Sequence, residues 1–69
     1  MIEQGEILTL SDNNKYVVVS SVIYQDKNYV YLINQNDFSK TMTCLYDNSG
    51  LVEVTNPELT SILIKLFLN

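Results

Sequence analysis

The sequence contains no histidine, no arginine and no tryptophan, and only one cysteine, one proline and two glycines in 69 residues. Each shortage removes a class of function. Without histidine, the Ser-His-Asp and Cys-His nucleophile arrangements are excluded, and so is a zinc site of the usual Cys/His spacing. A lone Cys44 allows no internal disulfide, and neither His nor Arg stands near it in sequence to lower its pKa. It therefore reads as a small buried apolar residue in a reducing compartment. With Gly5 and Gly50 alone, neither common phosphate-cradling loop can be built. Four lysines stand against eight acids for a formal charge of −4, and no arginine fork is present. That argues against binding by phosphate neutralisation, so nucleic acid is not the expected partner. No stretch reaches membrane-span length, and the opening MIEQGEILTL has neither a basic leader region nor a long apolar run. The expectation is a soluble, cytoplasmic protein without a membrane partner.

What is present centres on Lys15 to Asn34, KYVVVSSVIYQDKNYVYLIN, which predicts two long β-strands joined by a tight turn. The first arm, residues 15–25, carries Val17, Val19, Ser21 and Ile23 at odd positions and Tyr16, Val18, Ser20, Val22 and Tyr24 at even ones. Neither face is plainly polar, so both are expected to be partly covered. The small pair Ser20-Ser21 is the expected place for a bulge or sharp bend. The turn falls at Asp26-Lys27-Asn28, whose residue types tolerate left-handed backbone angles, and the return arm is Tyr29 to Asn34. A loop of two or four residues places Tyr24, Tyr29 and Tyr31 on one face, whereas a bulged three-residue loop breaks the set. Such a patch reads either as an aromatic platform for bases or a peptide, or as cross-strand packing with phenol oxygens at the core rim.

The rest of the chain adds short strands at residues 6–10, 41–47 and 51–55, separated by the turn clusters Ser11-Asp12-Asn13-Asn14 and Asn48-Ser49-Gly50. In the fourth strand Met42, Cys44 and Tyr46 alternate with Thr43, Leu45 and Asp47, and in the fifth Val52 and Val54 are expected to face inward. Phe38, in the polar loop QNDFSK, is expected to fold back over one end of the sheet. The fold class that follows is mainly β with one C-terminal helix. It is a five-stranded antiparallel meander, curled as a small barrel or half-barrel, forming one domain over residues 1–69.

The period changes at Thr55-Asn56-Pro57-Glu58. There either Asn56 caps a helix that has Pro57 in its first position, or Thr55 caps one with Glu58 closing a capping box. Over residues 57–68, Leu59, Ile62, Leu63, Leu66 and Phe67 form one apolar face. Ile64 and Leu68 lie well round the helix from it, leaving Glu58, Ser61 and Lys65 as the polar stripe. The apolar arc is wider than one sheet can cover. A domain of this size buries only roughly 60% of its unfolded surface and gains from self-association. A homodimer through Leu59, Ile62, Leu63, Ile64, Leu66, Phe67 and Leu68 is the expected consequence.

The segments GEILTLSD, NKYVVV, YQDKNYVYL and VEVTNPEL together span most of the chain, and their layout resembles short β-rich bacterial proteins of phage and mobile-element type. The strand order is also similar to that of small SH3-like barrels. That resemblance implies binding of proteins or nucleic acids and carries over no functional residue. The usual glycines of such barrels are mostly missing here. The functional expectation is a non-enzymatic protein-interaction module with no catalytic, cofactor or metal residues. The alternative is an acidic inhibitor or nucleic-acid mimic that binds a basic host protein. Its scattered acids, Glu3, Glu6, Asp12, Asp26, Asp37, Asp47, Glu53 and Glu58, would have to gather on one face.

Overall fold

A computed structural model describes residues 3–68. Five antiparallel strands follow one another in sequence order across a single sheet: β1 (Ile7–Thr9), β2 (Lys15–Tyr24), β3 (Lys27–Asn34), β4 (Thr41–Asp47) and β5 (Gly50–Glu53). Among these residues one helix, α1 (Pro57–Phe67), follows the last strand. The sheet is a curled half-barrel, and no ladder joins β1 to β5 among the described residues.

The central hairpin is tighter than its sequence suggested. Tyr24 pairs with Lys27, so the loop is Gln25-Asp26, not the expected Asp26-Lys27-Asn28. Both loop residues have positive φ, 50° and 64°, the signature of the two-residue turn whose twist matches that of the strands it joins. Strand β3 therefore starts two residues earlier than Tyr29. A second two-residue loop, Asn48-Ser49, joins Asp47 to Gly50, and Gly50 supplies a φ of 114° that a side chain would strain. Asp47 stabilises that turn by accepting from the Ser49 backbone N–H and hydroxyl. Asp12 and Asp37 do the same in their own turns, accepting from Asn14 and Ser39. These bonds favour the charged carboxylate and lower the pKa of all three aspartates.

The bulge lies at Val19, one residue before the expected serine pair. Val18 pairs with Leu32 and Ser20 with the adjacent Tyr31, leaving Val19 unmatched. The extra residue switches the parity of β2. Before it, the even residues Tyr16 and Val18 face the concave side; after it, the odd residues Ser21 and Ile23 do, because Ser21 pairs with Val30 and Ile23 with Asn28. This is why neither face of the strand read as polar.

The concave side holds the main core: Tyr16, Val18, Val30, Leu32 and Cys44, with Leu8, Leu10, Met42 and Leu51 packed against it. Leu51 reaches this core, and Val52, expected inside, is 53% exposed, because Leu51 pairs with Tyr46 on the Cys44 face. Phe38 does not fold back. The buried Asn34 carboxamide accepts from the backbone N–H of Asn36 and Asp37, which with the Asp37–Ser39 bonds closes the loop on itself and leaves Phe38 78% exposed.

Helix α1 lies across the opposite face of the sheet, against β2. Of the two possible starts, Asn56 is the cap: its side-chain oxygen accepts from the N–H of Glu58 at 2.9 Å and of Leu59 at 3.2 Å, and Pro57 occupies the first position. Glu58 in the first turn and Lys65 in the last suit the helix dipole. Leu63 is fully buried, and the Phe67 ring stacks at 5.6 Å on Tyr31.

Candidate functional site

The sequence marked two groups of residues, and the fold treats them differently. Tyr24, Tyr29 and Tyr31 do share a face, since they alternate in register with Val22 and Ser20 across a two-residue loop. That is also the face α1 crosses. Tyr29 is buried, Tyr31 is half-buried under Phe67, and Tyr24 is half-buried at the hairpin end. With Tyr29 buried and Tyr31 stacked on Phe67, the three rings leave no open platform.

The helical group divides. Leu63 is buried, and Leu59, Leu66 and Phe67 are half-buried. Ile62, Ile64 and Leu68 remain exposed at 41%, 40% and 82%. Ile62 and Ile64 lie on opposite flanks, about 200° apart at 100° per residue. On the Ile64 flank Leu68 follows one turn on. Beside them Val19, Ser20, Tyr31 and Phe67 complete a dimple of about 120 Å³. Val19 is exposed because it is the bulge residue. The exposed apolar strip is therefore assembled from a helix flank and a strand irregularity, and only the helical half was legible in the sequence.

A third site had no sequence signal of its own. Where the sheet fails to close, a cleft of about 880 Å³ opens between β1 and β5. The half-barrel provides this space because its two edge strands stay apart. The floor is apolar, with Leu8, Leu10, Met42, Cys44 and Leu51. Three of the eight carboxylates line it, Glu6, Asp12 and Glu53, and none of the four lysines does. Its nearest sequence sign was the shared parity of Leu8 and Leu10; the carboxylates are joined only by folding.

Cys44 lies in the cleft floor. Burial pushes its thiol up to about 11, and the nearby Glu53 carboxylate adds to the shift by disfavouring a second negative charge. Burial therefore favours the protonated thiol, and the side chain packs with Val18, Val30 and Leu32 in the core. Among the described residues, no group of three or more His, Cys, Asp or Glu side chains is placed to hold a metal ion. No helix among them is long and apolar enough to cross a membrane. Compared with known proteins, the chain matches no family model, no curated protein and no solved structure.

Proposed function

We propose that this chain is a non-enzymatic protein-interaction module that self-associates through Ile64, Leu68 and Val19. The observation that carries the reading is the apolar strip left uncovered after α1 has docked, with Leu68 standing 82% exposed beside a dimple of about 120 Å³. A knob and a hollow on one surface suit a two-fold pairing, in which each Leu68 enters the dimple of the other copy. Burying the strip would also add apolar contact that so small a domain cannot supply from its own core. The chemistry of the reactive side chains supports a non-enzymatic role: Cys44 is held protonated, and Asp12, Asp37 and Asp47 are engaged in their own turns. A free, buried thiol suits a reducing cytoplasm.

Light scattering over a concentration series tests the proposal. The parent is expected to be a dimer at tens of micromolar, and the double variant Ile64→Lys/Leu68→Lys a folded monomer. A parent that stays monomeric removes the self-association claim.

A second reading, an acidic inhibitor or nucleic-acid mimic of the kind carried by phages and mobile elements, draws support from one distribution. Glu6, Asp12 and Glu53 converge on a single cleft without a lysine among them. A basic partner protein would be attracted there, with an association rate that falls as salt rises.

A further inference from the structure

We propose that the seam between β1 and β5 receives an extended cationic segment of another polypeptide as a sixth strand, which closes the half-barrel. The strand directions allow it. In an antiparallel meander of five strands, the first and last run the same way, so one added strand is antiparallel to both.

The backbone presents the necessary groups on each side. The Glu6 carbonyl accepts from the Val18 N–H at 2.9 Å, and the Leu10 N–H donates to the Asn14 carbonyl at 3.0 Å. The even residues of β1 thus spend their groups on β2, and alternation turns those of Ile7 and Thr9 to the open edge. Across the seam, the Val54 N–H donates to the Thr43 carbonyl at 2.8 Å, and the same alternation leaves Leu51 and Glu53 facing outward. All four residues line the one cleft.

The side chains define the occupant. Glu6 and Leu8 share one parity in the chain and Leu51 and Glu53 another, and both sets face the concave side. A single face of the incoming strand would therefore meet them all, with apolar residues against Leu8, Met42 and Leu51 and lysine or arginine against Glu6, Asp12 and Glu53. Main-chain pairing supplies affinity in such an addition, while alternate side chains supply selectivity. The charge preference rests on the acidic-docking reading above; the strand pairing does not.

The test uses a short fluorescein-labelled peptide of the repeat Lys-Thr-Val-Thr, which carries lysine and valine on the same face, followed by anisotropy. Two comparators are added: the same peptide N-methylated at alternate residues, which keeps its charge but cannot pair with both sides of the seam at once, and one with glutamate in place of lysine. Binding of the first peptide is expected, weakened about tenfold or more by N-methylation and by the change to glutamate. Thr9→Pro should weaken it similarly, since Pro removes an outward N–H that the fold itself does not use. Glu6→Gln/Glu53→Gln should reduce both affinity and salt dependence. Should Thr9→Pro misfold, amide hydrogen exchange on the parent decides, with Thr9 and Glu53 expected to slow when peptide is bound. If the N-methylated peptide binds as well as its parent, strand addition is overturned while acidic docking stands. If no peptide binds at millimolar concentration, both fall. A dimer that survives Ile64→Lys/Leu68→Lys but is lost in Thr9→Pro would place a second copy in the seam and overturn the proposal.

Discussion

The two faces of this sheet are covered by different means. One face receives a separate element, α1, whose Leu63 is fully buried and whose Phe67 stacks on Tyr31. The other covers itself by curling, so that Val18, Leu32 and Cys44 of neighbouring strands meet on the concave side. Covering by a helix leaves unused apolar surface on the helix flanks, because Ile64 and Leu68 lie at the margin of the helix–sheet contact and stay exposed. Covering by curvature leaves unused backbone at the two edges, because five strands curl without meeting. The two candidate surfaces are thus the by-products of two ways of burying a sheet, one apolar and one made of hydrogen-bonding groups.

The strongest way to break this comparison is to weaken each cover separately. Leu32→Ala and Leu63→Ala each remove a fully buried side chain, and each is expected to cost about 2–5 kcal/mol by urea denaturation. For a domain whose whole stability is of order 5 kcal/mol, either change should unfold a large fraction of the molecules. Hydrogen exchange should show β2, β3 and α1 losing protection together. If Leu63→Ala frees only the helix amides, the helix is a detachable cover, and the two faces are not equal partners in one core.

A smaller effect concerns the concave face alone. The Cys44 thiol has an ordinary value of 9.0 and is pushed up to about 11 in the folded protein. The folded state therefore holds this proton more tightly than the unfolded one. The contribution is fully present below pH 9.0 and is lost as pH rises towards about 11. Denaturation midpoints measured through that window should fall, and Cys44→Ala should lose this part of the slope. At neutral pH the native thiol should resist alkylation and react only on unfolding.

The smallest expected effect lies at the helix start. Asn56→Ala removes the acceptor for the Glu58 and Leu59 N–H groups and should cost about 1 kcal/mol. An Asn56→Ala cost close to zero would mean that tertiary contacts, not the cap, hold the start of α1.

Local chemistry made much of the architecture legible before folding was considered. Alternation marked β4, the turn residues marked the loops around Asp12 and Asn48, and Asn56-Pro57 with the later leucines marked α1. The hairpin turn was displaced to Gln25-Asp26 because several residues of that stretch accept positive φ, and only the pairing of Tyr24 with Lys27 selects among them. The bulge could be anticipated from the mixed faces of β2, yet its place at Val19 depends on register with β3. Phe38 stays exposed for a related reason: an aromatic in a polar loop suggests a cover, but the Asn34 and Asp37 side-chain bonds close that loop without it.

The candidate surfaces divide along the same line. The sequence by itself determined that Ile64 and Leu68 lie off the main apolar face, because the helical period of 3.6 residues is a local property of the chain. It also determined the acidic balance and the absence of histidine and arginine chemistry. Only the tertiary structure decided that Val19 joins the helix flank, that Phe67 of α1 stacks on Tyr31 while Tyr29 is buried, and that Glu6, Asp12 and Glu53 face one open seam. The physical reason is that these are relations between segments far apart in sequence. They are set by sheet register, by one inserted residue in β2 and by the failure of two edges to meet, none of which a local pattern encodes.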